Sequence, residues 1–114
     1  GDRNDRDERL WAAVELFAST GEDIYGNYYL NNYNSVGLFS SMSWQQVAPI
    51  AHLTYLLNVA NPDEATYAIL KSSLSQQVLT INGNMLANGF SIPLSDGEFY
   101  WGSNGEVLNA ALLL

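Results

Sequence analysis

Residues 7–21 read Asp7-Glu8-Arg9-Leu10-Trp11-Ala12-Ala13-Val14-Glu15-Leu16-Phe17-Ala18-Ser19-Thr20-Gly21, and this stretch decides the fold class. Asp5, just upstream, is placed to cap a helix by accepting from an amide of its first turn, and Glu8 adds negative charge where the helix dipole favours it. Leu10, Trp11, Val14 and Phe17 then recur at helical spacing, and Gly21 marks the stop. Between Leu10 and Ala18 the one polar residue is Glu15. A helix that is apolar on nearly all sides is ordinarily covered on nearly all sides. The stretch therefore predicts a helix with several packing partners.

The same pattern recurs downstream. Gly21 to Tyr33 reads as a shorter helix or turn-rich segment carrying Tyr25, Tyr28, Tyr29 and Tyr33, and Asn31 to Ser43 as a loop. Ser43 and Gln46 form an S-x-x-Q capping box ahead of Val47, Ile50, Leu53, Leu56 and Leu57, with Pro49 placed to bend the helix. Asn61-Pro62-Asp63-Glu64 predicts another start, Asn61 as cap and Pro62 at the first position. Tyr67, Leu70, Leu74, Val78, Ile81 and Met85 make one stripe, which Gly83 interrupts or ends and Gly89 caps. Phe90 to Trp101 is an irregular loop, and Ser103 and Glu106 make an S-x-x-E box opening a last helix through Val107, Leu108, Ala111 and Leu112. The expectation is all-α: about five helices in successive hairpins, without strands.

Composition narrows the function. With 4 Lys plus Arg against 12 Asp plus Glu, the net charge is -8, which disfavours nucleic acid and an anionic membrane surface. No run of 18 apolar residues is present, so no membrane span is expected. With no Cys and one His, disulfides, thiolate chemistry and multi-histidine metal sites are excluded within this chain. Charged residues are 14% of the chain against roughly 25% in an average soluble protein, and three of the four basic residues are Arg3, Arg6 and Arg9. Ala110 to Leu114 is wholly apolar, and the chain reads as cut inside a helix.

Several residues invite chemistry, each with a plainer reading beside it. Tyr100-Trp101 before Gly102-Ser103-Asn104 offers an aromatic face for a pyranose ring, or a loop anchor closing the core. Asp96, Glu98 and Glu106 cluster near it as possible acid–base carboxylates, yet turn and capping roles account for Asp96 and Glu106. Asp7 and Glu8 are two hard oxygen donors suited to calcium, or simply acids at a helix start. His52 in an apolar helix reads as a hydrogen-bonded core residue, and the tyrosines at 25–33 as packing more than as a ligand surface. Neither a nucleotide-binding glycine loop nor a G-x-S-x-G elbow is present.

Taken together, three blocks resemble glycoside hydrolase family 9, the inverting cellulases. Asp7-Glu8-Arg9-Leu10-Trp11-Ala12-Ala13 through Thr20-Gly21 is similar to the family's D-E-x-x-W-A-A…T-G helix. Phe39 to Leu57, with Ser43-Trp44, is the second block. Ile92-Pro93-Leu94 and then Tyr100-Trp101-Gly102-Ser103-Asn104 with Val107-Leu108-Asn109-Ala110 is similar to W-G-S-N-x-x-x-x-N-x-A. The resemblance implies that residues 1–114 are part of an (α/α)6 toroid, truncated at both ends, in a secreted, extracellular enzyme. It implies a β-1,4-glucan partner in an aromatic-lined cleft, with Trp101 and Tyr100 as the substrate-binding residues and the remainder of the catalytic domain as the other partner. It also implies a possible structural calcium at Asp7 and Glu8, weakened by Gln45 where relatives carry an acid, and no required cofactor. Gly105 and Glu106 stand where some members carry an Arg and an aromatic. The family's catalytic Asp (in D-A-G-D) and Glu (after Asn) have no counterpart here, so the segment should not catalyse alone. The rival from the residues themselves is a self-contained helical module binding carbohydrate or protein without catalysis; another (α/α) glycosidase or a lyase is a third.

Overall fold

The computed structural model describes residues 4–99 and 102–114; Tyr100 and Trp101 lie outside the described residues. Five α-helices follow one another: α1 (Arg6–Thr20), α2 (Asp23–Asn32), α3 (Ala48–Asn58), α4 (Glu64–Ala87) and α5 (Ser103–Leu113). Short 3-10 turns occupy Tyr33–Ser35 and Asp96–Glu98. Among the described residues the extended pairing is a single bridge between Ser43 and Gln46. The all-α expectation holds.

α1 is the hub, packing on both α2 and α3. Leu10, Val14, Tyr29, Ala51 and Tyr55 form the centre of the core. Gly26 lets α2 come close: a Cβ there would lie 2.8 Å from the Phe17 ring. Glu15, the lone polar residue of the apolar run, serves the packing too. Its Oε1 accepts from Trp11 Nε1 and from the buried Thr54 Oγ1 of α3, both at 2.8 Å. One carboxylate thus joins the two helices.

Several helix starts differ from the sequence expectation. Asp5 does not cap α1; its carboxylate pairs with Arg9 one turn on, at 2.8 Å. Ser43 and Gln46 do not box the start of α3. They exchange two backbone hydrogen bonds, 3.3 and 3.1 Å, in a tight turn. The helix opens at Ala48, and Val47 N–H donates to Asp7 Oδ2 at 2.8 Å, so a carboxylate on α1 does the capping across 40 positions. Pro49 falls in the first turn of α3, where a missing N–H removes no helical bond, so it opens the helix instead of interrupting it. α4 is capped by Asp63, whose Oδ1 accepts from Thr66 N at 2.8 Å, two residues later than the Asn61-Pro62 reading placed it. Gly83 lies inside α4, and the helix ends at Asn88 rather than Gly89.

α5 departs most. Its N-cap is Gly102 at φ 88°, a left-handed conformation that costs other residues strain, and Ser103 is already helical without a side-chain cap. The S-x-x-E box therefore does not form at Ser103. Glu106 is buried, and so are Ala110 and Leu113, while Leu108 and Leu112 point outward. The buried face of α5 is offset from the one predicted.

The covered surface is uneven. The radius of gyration is 14.9 Å and the extents are 47 × 32 × 21 Å. A compact chain of this length would give about 13 Å. The molecule is a slab, with Leu57, Leu79, Leu86, Phe90 and Leu108 each more than half exposed. α1 is likewise covered on one side, leaving Trp11 and Leu16 partly open. No helix among the described residues is long and apolar enough to cross a membrane.

Candidate functional site

The stretch ahead of Tyr100 is organised by two asparagines and a glutamate. Asn88, at the end of α4, folds the loop back on itself: its Oδ1 accepts from Phe90 N and Ile92 N, and its Nδ2 donates to Ile92 O. Asn84 Nδ2 donates to Pro93 O at 2.9 Å. Glu98 closes the 3-10 turn: Ser95 N and Ser95 Oγ both donate to its Oε2 at 2.7 Å, and Glu98 N donates to Ser95 O at 3.0 Å. Its other oxygen accepts from Ser41 Oγ, which belongs to the loop before α3. The S-x-x-E pattern sought at Ser103 is in fact realised at Ser95, where the same spacing was readable.

These groups border a pocket of about 240 Å³ between α4, α5 and the two loops. Ser41, Thr80, Asn84 and Ser95 give it polar walls, and Ile81 and Ala110 an apolar base. Glu98 and Glu106 both line it. Burial works to raise the Glu98 carboxyl, but the hydrogen bonds from Ser41 and Ser95 outweigh it and hold the group below the ordinary glutamate value. Glu106 moves the opposite way: burial raises it, and the nearby Glu98 charge adds to that. Of the three carboxylates considered for acid–base work, Asp96 belongs to the 3-10 turn and is exposed, while Glu98 and Glu106 share the pocket. Glu98 is thus held by three donors as a tether, an arrangement that suits structure better than proton transfer.

The expected sugar-binding pair, Tyr100 and Trp101, lies outside the described residues. Phe99 on one side is half-exposed, and Gly102 on the other starts α5.

Asp7 and Glu8 are placed differently from each other: Asp7 is 2% exposed and caps α3, whereas Glu8 is on the surface. Calcium takes roughly six to eight oxygens. No group of three or more His, Cys, Asp or Glu able to hold a metal occurs among the described residues. The donors shown do not by themselves make a calcium cage, and Asp7 has a structural task without one.

His52 is a core residue, as its apolar setting suggested. It is fully buried, with Nε2 2.9 Å from Gly37 O and Nδ1 2.8 Å from Tyr29 Oη. A carbonyl can only accept, so Nε2 carries the proton and Nδ1 accepts from the tyrosine. Burial holds the imidazole below the ordinary histidine value, partly offset by the Gly37 contact. Tyr29 stacks on Tyr55 at 4.6 Å and 10°. Tyr55 Oη accepts from Asp63 N at 2.8 Å. The tyrosine-rich segment thus sends its central member into the core. Nothing local in the sequence pairs Tyr29 with His52, or Asp7 with Val47; both contacts arise when α1, α2 and α3 meet.

The sequence matches the model of glycosyl hydrolase family 9 over residues 1–114. Endoglucanase D of Acetivibrio thermocellus is 29% identical over 114 residues, covering 97% of this chain and 18% of that protein. Endoglucanase 14 of Oryza sativa subsp. japonica is 31% identical over 101 residues, covering 85% of this chain and 20% of that one. In shape, a metagenome-derived glycoside hydrolase family 9 endoglucanase superimposes with a TM-score of 0.87 at 32% identity, over 98% of this chain and 21% of that chain. A thermostable endoglucanase from Alicyclobacillus acidocaldarius gives 0.86 at 29%, over 99% and 21%. The chain spans about a fifth of the length of the relatives it matches. With its whole length matched in both sequence and shape, the chain belongs to glycosyl hydrolase family 9.

Proposed function

We propose that the protein carrying this chain is a secreted cellulase that cleaves β-1,4-glucosidic bonds with inversion. The 114 residues supply helices of an (α/α)6 toroid and part of the substrate cleft. The observation that carries this is the match to glycosyl hydrolase family 9 along the entire chain. Relatives named endoglucanase and cellulose 1,4-beta-cellobiosidase support a β-1,4-glucan as the substrate class. Inversion needs a general acid and a general base roughly 6.5–9.5 Å apart across the scissile bond. The family's catalytic Asp (in D-A-G-D) and Glu (after Asn) have no counterpart in this sequence, so both catalytic carboxylates come from the rest of the domain. Calcium at Asp7 and Glu8 would need further oxygen donors beyond these two carboxylates, and the reading does not depend on it.

Tyr100 and Trp101 are the sugar-contacting residues in this reading. An indole ring presents a flat apolar face that suits the C–H side of a glucosyl unit. In the complete catalytic domain, Trp101→Ala should raise KM for soluble cellodextrins about tenfold, equivalent to one stacking contact, while kcat changes little. Unchanged kinetics would remove Trp101 from the cleft. The exposed leucines of α4 and α5 argue against a self-contained module, since a monomer seldom leaves so much apolar surface open. A monodisperse, sharply melting monomer of residues 1–114 would revive that alternative.

A further inference from the structure

His52 sits where three pieces of chain meet, and its two ring nitrogens hold two of them to the third. Nε2–H donates to Gly37 O, on the loop before α3, at 2.9 Å. Nδ1 accepts from Tyr29 Oη, on α2, at 2.8 Å. Phe39, two residues past Gly37, packs edge-on against the imidazole with ring centroids 5.6 Å apart. Tyr29 and His52 are both fully buried, and the Tyr29 ring stacks on Tyr55 and on Tyr33.

The two bonds respond to a proton in opposite ways. A protonated imidazole donates from both nitrogens. At Nε2 the role is unchanged, and the bond to Gly37 O gains a charged donor. At Nδ1 the acceptor becomes a donor. It then meets Tyr29 Oη, which can accept only by turning its own proton away, inside the core. The charged groups of the surrounding elements are committed elsewhere. On α1, Asp7 binds Val47 N, and Glu15 binds Trp11 and Thr54. Asp63 caps α4, and Glu64 and Lys71 on α4 are exposed. The remaining titratable neighbours, Tyr29, Tyr33 and Tyr55, carry hydroxyls and not carboxylates. Burial therefore acts on the charged ring without a counter-charge to offset it.

We propose that His52 is a one-sided, acid-sensitive clasp: a proton taken at Nδ1 releases α2 from α3, while the loop at Gly37 stays attached. The two sides differ in what else holds them. α2 has 10 residues, and Tyr29 is its one buried side chain. A helix that short is marginal in water once it leaves the core. The loop has further ties: Phe39 N donates to Ser73 Oγ of α4, and Gln46 Nε2 donates to Val36 O, each at 3.1 Å. When the Tyr29 bond reverses, the side with fewer attachments gives way. The proton thus acts on one element before it acts on the fold as a whole.

The test is hydrogen exchange on the complete catalytic domain, corrected for the intrinsic pH dependence of exchange. In the released state the imidazole takes up its proton near the ordinary 6.5, and in the clasped state only at lower pH. Linkage through that one proton raises the opening of α2 about tenfold between pH 7.5 and 5.5. Peptides from residues 23–32 should lose protection by that factor. The opening is local, so it should depend weakly on denaturant, whereas residues 48–58 should exchange through larger, denaturant-sensitive openings. His52→Gln keeps an acceptor and a donor without a titrating group, and should leave residues 23–32 equally protected across that range. Unchanged protection of 23–32 in wild type, or survival of the pH effect in His52→Gln, overturns the clasp. Opening of 23–32 and 48–58 together, with one denaturant dependence, overturns it by making the effect global. A larger pH-dependent loss at residues 36–39 than at 23–32 overturns it by putting the weak side at Gly37. The wild-type measurements decide on their own should His52→Gln fail to fold.

Discussion

The first half of the molecule and the second are built on different terms. Between residues 5 and 59, three helices meet around Leu10, Val14, Tyr29 and Tyr55, and buried polar groups bridge them: Asp7 to Val47, Glu15 to Thr54, Tyr29 to His52. The second half has a 24-residue helix of which Thr66, Leu70 and Ile81 are buried. α5 adds Glu106, Ala110 and Leu113. Leu86 and Phe90 are each 88% exposed, and Leu108 73%. α4 joins the core through Leu70 and Ile81, and α5 through Ala110 and Leu113. The difference is one of degree: α1–α3 bury a shared core although Ile24, Trp44 and Leu57 stay exposed, while α4 and α5 present most of their apolar surface to something else. In the reading proposed above, that is the remaining helices of the toroid.

The sharpest way to break this contrast is a pair of truncations in the isolated chain. Leu10→Ala, at a fully buried site, should cost about 3 kcal/mol in denaturant melts. Leu86→Ala should stay within about 0.5 kcal/mol. Equal costs would mean that the exposure of α4 is not what the structure shows. In the complete domain the Leu86 change should become costly as well, if the toroid covers it.

The next effect belongs to the buried relay. His52→Phe fills the space but leaves Gly37 O and Tyr29 Oη without their partner, and should cost about 2 kcal/mol. The sign of the pH effect follows from the lowered imidazole: the unfolded chain takes up the proton more readily than the folded one. This part of the stability is complete above the ordinary histidine value of 6.5 and falls as the pH drops through and below it. Thermal melts from pH 7.5 to 5.5 should show the decline in wild type and its loss in His52→Phe. A flat wild-type curve would contradict a buried neutral His52.

Asp7→Ala is the smaller test. Val47 N–H loses its acceptor at the start of α3, for a cost of about 1 kcal/mol, typical of a lost cap. Added chelator should not reproduce the loss in wild type if the carboxylate works as a cap without a metal.

How much of this was readable beforehand follows from the range of each interaction. Helix periodicity is local, so the stripes of α1, α3 and α4 were visible in the spacing of Leu10, Val14, Leu53, Leu70 and Ile81. Helix starts were less so, because Ser43 and Ser103 carry the pattern of a capping box without its geometry. At Ser43 the real cap comes from α1. At Ser103 the turn before α5 needs the left-handed conformation that Gly102 supplies. The Ser95–Glu98 box obeyed the local rule and was readable. Its bond to Ser41 was not, since no local spacing encodes a contact between two loops. The candidate sugar-binding pair rests on the resemblance to the family's W-G-S-N motif, since a lone tryptophan reads as well as a loop anchor.

The central claim is that α4 and α5 depend on missing partners more than α1–α3 do. Amide hydrogen exchange on residues 1–114 alone and within the complete catalytic domain tests it most directly. Exchange in residues 64–87 and 103–113 should slow by orders of magnitude in the complete domain, with residues 6–20 and 48–58 changing far less. Uniform protection of all five helices in the isolated chain, unchanged in the domain, would contradict it.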